Sequence, residues 1–137
     1  MDLATKRTYI RVRLDKAHDD LDTARALLPA AHWRGAINRA YYAIFHMASA
    51  ALLWHDIERK KHSGVQGSFN QYFIKPGLIE VEYGQIYREA REWREEQDYL
   101  DITRSLDEAL ASQIVQDAER FVARLESYLR EVDAIEG

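Results

Sequence analysis

Ile10, Leu14, His18, Leu21, Ala24 and Leu28 recur at steps of three and four along residues 5–29. Acidic and basic residues fill the other faces. This is the period of an amphipathic helix, and Pro29 closes it. After the short link "AAH", a second helix is expected at about 33–54. Its sequence, "AINRAYYAIFHMASAALLW", is apolar nearly all round. A helix of that kind belongs in the middle of a bundle or in an interface. "HDIERKKHSG" is polar and reads as a loop, with Ser63 placed to cap a short helix at about 64–74. "KPG" at 75–77 is a turn signal. A fourth helix is expected at about 79–95 and a last one at about 105–132, separated by the polar stretch "EQDYLDITRS". The last helix carries the stripe Leu106, Leu110, Ile114, Val115, Ala118, Phe121, Val122, Leu125 and Leu129. No segment alternates with the period of a strand. The pattern predicts an all-α, up-and-down antiparallel helical bundle of four long helices plus one short helix, in a single domain covering 1–137.

Composition narrows the functional classes. A chain of 137 residues, 47% hydrophobic and 31% charged, suits one soluble domain. No apolar run reaches 18 residues, so no membrane span is expected. "MDLATKRTYIRVRLDK" lacks the apolar stretch of a signal peptide. With no cysteine, thiolate metal sites and a cysteine nucleophile are excluded, and a cytoplasmic location is expected. The net charge of −4 argues against loose electrostatic binding to duplex. It leaves room for a local RNA site near "KRTYIRVRLDK" or "ERKKH", although either cluster also reads as a solvated face. The chain has no Walker loop, zinc-protease motif or nucleophile elbow. The carboxylates of "EWREEQDYLD" lack the spacing of a cation loop and read better as a helix end held by Asp98 and Tyr99. Neither a metal nor a cofactor is expected.

The informative segment is "NRAYYAIFHMA", residues 38–48. His46 follows Arg39 by seven positions, so the two differ by only about 20° around a helix and lie roughly 10 Å apart along it. Asn38 and Tyr42 lie near the same stripe. An arginine offers a planar fork of donors that fits a phosphate. A histidine can take a proton near neutral pH and return it. Together they suit RNA cleavage without a metal. A base activates the ribose 2′-OH, the arginine offsets charge building on the phosphorane, and an acid protonates the leaving oxygen. The same spacing also fits a buried polar tie, in which Arg39 pairs with an acid from a neighbouring helix.

"HWRGAINRAYYAIFHMASAALL", followed by "KHSGVQGSFNQYFIKPGLI" and "REAREWREEQDYLD", resembles the HEPN superfamily, and more narrowly its small stand-alone prokaryotic members, over roughly residues 10–130. The resemblance implies a helical bundle that usually dimerises. Many HEPN proteins are metal-independent endoribonucleases with an arginine and a histidine separated by four to six residues. Arg39-AYYAIF-His46 fits that pattern at its longest spacing. Catalytic members usually carry a polar residue directly after the arginine; here that place holds Ala40, and Asn38 precedes the arginine instead. Other members act as non-catalytic partners of a minimal nucleotidyltransferase. In some pairs that partner adenylylates a tyrosine two residues after the motif histidine, a position occupied here by Ala48.

Two functions are therefore expected from the resemblance. The first is a HEPN ribonuclease, the toxin of a toxin–antitoxin pair, with Arg39 on the phosphate and His46 as general acid or base. The second is a binding module that pairs with a nucleotidyltransferase and binds nucleotide or RNA without cutting it. A homodimer would bring two Arg39 and two His46 to one cleft. Asn38, Tyr42, Lys61, His62 and Ser63 are candidate supporting or RNA-binding residues, the last three through "KKHSG" and the free N–H groups of the next helix. Arg91 and Arg94 are candidates to face the same cleft as Arg39. Trp33 is expected to pack at the start of the second helix against the last.

Overall fold

The computed structural model describes residues 1–98 and 106–137. The expected helix end at Asp98 and Tyr99, and the polar stretch that follows, lie outside what it describes in full. Five helices appear among the described residues: α1 (Leu3–Leu27), α2 (Trp33–Trp54), α3 (His62–Phe69), α4 (Val81–Asp98) and α5 (Glu108–Glu131). The protein is all-α, as the periodicity predicts.

Two aspartates start the two long outer helices. The Asp2 carboxylate accepts the Thr5 N–H at 2.8 Å, and Asp107 accepts the Leu110 N–H at 2.8 Å. Each satisfies a backbone donor that the first turn leaves unpaired, worth about 1 kcal/mol. Asp2 moves the start of α1 two residues ahead of the periodic signal. At the other end the chain leaves α1 through Pro29, and Ala31 adopts a left-handed conformation with φ of 60°. The return is tight: a Cβ on Gly35 would lie 3.1 Å from Leu27 Cδ1. A side chain there would require Leu27 to shift by a few tenths of an ångström.

α2 packs against each of the other four helices. That follows from its composition: Ala36, Ile37, Ala40, Tyr41, Ala43, Ile44, Met47, Ala48, Ala50 and Ala51 are fully buried. The alanines let neighbouring helices approach, and the larger side chains fill what remains. Along α1 the buried row is Ile10, Leu14, Ala17, Leu21 and Ala24. His18 is not on it. Its ring lies at the surface and meets the Glu126 carboxylate at 2.7 Å, so Ala17 takes the place that a strict four-residue step gives to His18. On α5 the expected stripe is buried from Ile114 to Leu129, joined by Ala111 and Tyr128.

The short third helix differs from its expected form. It begins at His62 rather than after Ser63, with Lys61 at the cap position and no side-chain capping bond. Ser63 is exposed and caps nothing. After Phe69 the chain widens into a π-type turn, Asn70–Ile74. This turn delivers Phe73 to the core next to Phe69, with ring centroids 5.4 Å apart, and leaves Tyr72 outside at 40% exposure. Phe121 from α5 and Tyr87 from α4 complete an aromatic layer with Phe69, at centroid separations of 5.4 and 5.9 Å. That layer closes one side of α2. The other side is left to α1, and the functional candidates lie along that junction.

Candidate functional site: a polar cleft between α1 and α2

Arg39 and His46 stand one above the other on the edge of α2 that meets α1. Both line an open cleft of about 370 Å³, together with Tyr42 from α2 and Lys16, Asp19 and Asp20 from α1. The two helices reach this edge with different chemistry. α2 buries its alanines and turns Asn38, Arg39, Tyr42 and His46 partly outward. α1 presents Arg13, Lys16 and Asp20, a row at steps of three and four beside its buried stripe.

The cleft is organised around one half-buried carboxylate. Arg39 Nη1 donates to Asp20 Oδ1 at 3.0 Å, and His46 Nε2 lies 3.6 Å from Asp20 Oδ2. Burial pushes the Asp20 carboxyl above its ordinary range, and Arg39 pulls it back. On the far side of the imidazole, Arg13 Nη1 lies 2.9 Å from His46 Nδ1. His46 is drawn down to about 4, first by burial and then by the positive charges of Arg13, Lys16, Arg39 and His62. It is therefore a neutral imidazole at physiological pH. Lys16 forms no salt bridge among the described residues and contributes its charge to the open side.

Tyr42 is flanked by guanidinium groups. Arg39 stands 5.1 Å from its ring centroid and Arg94 5.4 Å, both within cation–π range. Arg94 also donates from Nε to Asn38 Oδ1 at 3.2 Å and from Nη2 to the Tyr42 hydroxyl at 3.4 Å. The fourth helix thus sends Arg94 to Asn38 and Tyr42, though Arg94 does not line the cleft with Arg39. Arg91 goes elsewhere, to Gln66 Oε1 at 2.7 Å and Glu95 Oε1 at 2.9 Å. His62 packs on Phe45 with centroids 4.3 Å apart, and its Nδ1 lies 3.2 Å from the Tyr41 hydroxyl. Burial, and after it Arg94, lower its proton affinity. His46 also stands by the Phe45 ring, edge-on, with centroids 5.6 Å apart. Lys61 and Ser63 are exposed beside His62 and line none of the α1–α2 cleft. Trp33 lines a separate hollow with Leu27 and Leu106.

The geometry thus gathers Arg39, His46, Tyr42 and, through Arg94, Asn38. It adds Arg13 and Lys16, which the sequence offered only within the basic run "KRTYIRVRLDK", and Asp20, which it did not single out. A usable signal was present, since the three form one polar row on α1, but its partner depends on how α1 docks. Among the described residues, no three His, Asp or Glu side chains converge as a metal-ligand set. None of the described helices is long and apolar enough to cross a membrane.

The HEPN domain model matches residues 10–128, a span that contains every residue of the cleft. The chain belongs to the HEPN family. It is 38% identical over 126 residues to the protein named "Putative toxin MJ0605" of Methanocaldococcus jannaschii, covering 92% of each chain. It is 33% identical over 117 residues to a UPF0332 protein of Thermotoga maritima, covering 85% of this chain and 88% of that one. A second Methanocaldococcus jannaschii protein, "Putative toxin MJ0142", is 30% identical across all of this chain and 92% of its own length. Within the HEPN bundle, the Arg39–His46 edge is the part where polar side chains from α1, α2 and α4 meet.

Proposed function

We propose that this HEPN protein is a metal-independent endoribonuclease, the toxin of a toxin–antitoxin pair, and that the α1–α2 cleft receives the scissile phosphodiester. The observation that carries the reading is the placement of Arg39, His46 and Lys16 on one open cleft rather than in a sealed core. Arg39 offsets the charge that gathers on the non-bridging oxygens as the ribose 2′-OH attacks phosphorus. The P–O5′ bond then breaks, leaving a cyclic phosphate and a 5′-hydroxyl. The 2′-OH proton must leave and the departing oxygen must gain one, and His46 is the group placed to exchange a proton there. A two-fold dimer would supply a second His46, so that one ring acts as base and the other as acid. The toxin names of the two Methanocaldococcus jannaschii relatives support the same reading.

A second reading has its own support. Arg13 occupies Nδ1 of His46, and the ring has a low proton affinity, which suits a hydrogen-bond donor better than a base. On that reading the cleft holds a nucleotide or RNA phosphate without cutting it, and the protein works as a cytoplasmic partner of a minimal nucleotidyltransferase. Ala40, directly after Arg39, points the same way.

Cleavage of RNA in EDTA separates the two. Wild-type protein is compared with His46→Ala, with circular dichroism confirming that both are folded. Cutting by the wild type alone supports the ribonuclease. Absence of cutting across several RNAs, with retained RNA or nucleotide binding, sinks it in favour of the binding module.

A further inference from the structure

The two ring nitrogens of His46 face different surroundings. Nε2 is on the cleft side, 3.6 Å from Asp20 Oδ2, and Nδ1 is 2.9 Å from Arg13 Nη1. A guanidinium has five donors and no acceptor. The bond to Arg13 therefore requires a lone pair on Nδ1, and a neutral ring must carry its proton on Nε2. We infer that Arg13 is a positioning residue of the cleft, which holds His46 as the Nε2–H tautomer so that the ring presents a donor to whatever binds there. This rests on reading the α1–α2 cleft as the functional site.

Chemically, Arg13 does the reverse of a carboxylate at the same place. A carboxylate behind the ring would take Nδ1–H and leave the Nε2 lone pair facing the cleft as a base. An arginine leaves an N–H facing the cleft, which complements an anionic oxygen. Most charged groups around the ring act in keeping with this arrangement, while Asp19 lines the same cleft beside Asp20. Arg13 and Lys16 from α1, Arg39 from α2 and His62 from α3 all disfavour a second proton on the ring. Asp20 is the nearby carboxylate, and Arg39 engages it. Arg13 itself is held near the Phe45 ring, 5.7 Å from the centroid, and feels the Glu58 carboxylate of the α2–α3 loop. Together with Glu58 it lines a small cavity of about 70 Å³ that Asp20 does not reach. A ring held from behind in this way binds phosphate oxygen while Arg13 stays.

The test is ¹⁵N NMR of the histidine rings in the full chain, followed as pH is lowered, for wild type, Arg13→Met and Arg13→Lys. In the wild type, His46 should show the Nε2–H tautomer and stay neutral until near pH 4. Arg13→Met should mix the tautomers and move the midpoint toward 6.5, the ordinary value. Arg13→Lys keeps a cationic donor and should hold the midpoint low. A dispersed amide spectrum certifies the fold of each variant, and Arg13→Gln replaces Arg13→Met if the latter does not fold. A wild-type ring protonated on Nδ1, or an Arg13→Met ring that titrates like wild type, overturns the assignment. RNA cleavage is measured in parallel. If no variant cuts RNA, the ribonuclease reading fails while the NMR result still decides the role of Arg13.

Discussion

The seam between α4 and α5 and the cleft between α1 and α2 are both built from cations and carboxylates, arranged differently. At the seam each cation has its own acid: Arg120 meets Glu82 at 2.7 Å, and Arg124 meets Glu80 at 2.7 Å. In the cleft, Arg39 shares the Asp20 carboxylate with the edge of His46, while Arg13 and Lys16 add positive charge nearby. The chain as a whole carries −4. Asp19 and Asp20 line the cleft beside Lys16 and Arg39, and Arg13 behind His46 adds a further positive charge. Net charge describes the surface at long range, whereas a phosphate responds to the few groups within reach.

The largest difference between the two regions should appear in function. Arg39→Ala and His46→Ala should each lower RNA cleavage on the order of a hundredfold or more. Arg124→Ala should leave it unchanged. Initial rates on a labelled RNA in EDTA check this, and an equal loss in all three variants would mean that the cleft is not special.

Acid should come next. His46 has a folded-state value of about 4 against an ordinary 6.5, so the unfolded chain binds a proton there that the folded chain refuses. The stability that comes from keeping this ring neutral is present in full above 6.5 and is lost as pH falls toward 4. At pH 5 the loss attributable to this ring is at most about 2 kcal/mol. His55 and His62 are shifted in the same direction by burial and add to the slope. Urea unfolding at pH 7 and pH 5 should show a smaller difference for His46→Gln than for wild type. An unchanged difference would place the acid sensitivity elsewhere.

Asp20→Asn sharpens the comparison by giving the cleft more of the charge that the seam cancels. Freed of its carboxylate, Arg39 should bind RNA phosphate about five- to tenfold more tightly at low salt, since a pair this exposed is worth about 1 kcal/mol. Fluorescence anisotropy against the same RNA measures it, and weaker binding would mean that Asp20 positions Arg39 rather than competing for it. The smallest effect belongs to the seam. Removing Arg124 should cost less than about 1 kcal/mol of stability, read as a shift in the urea midpoint.

Most of the bundle was legible because its signals are local. The stripes of α1 and α5 and the breakers Pro29 and "KPG" each act over one or two turns. Departures arise where a neighbour decides. His18 falls at helical spacing with the apolar row, yet Glu126 on α5 draws it to the surface. The π-type turn at Asn70–Ile74 lets Phe73 join Phe69 in the core, and no residue in "NQYFI" announces it. At the site, the arginine and histidine of α2 were visible from their spacing alone. Arg13 stood out only as part of a basic run and Asp20 not at all, because their roles depend on which face of α1 lies against α2. Arg94 could be suspected only because α4 must pack near α2.

α2 is buried on every side but the Arg39–His46 edge. Its backbone amides sit under four other helices, so they should exchange with deuterium only when the whole molecule opens, at the slow limit for this protein. The backbone positions of Arg39 and His46 would then be as persistent as the fold itself. Whatever adjusts when an anion arrives must be side chains, chiefly those reaching in from α1, so exchange rates along α2 should scarcely change on binding.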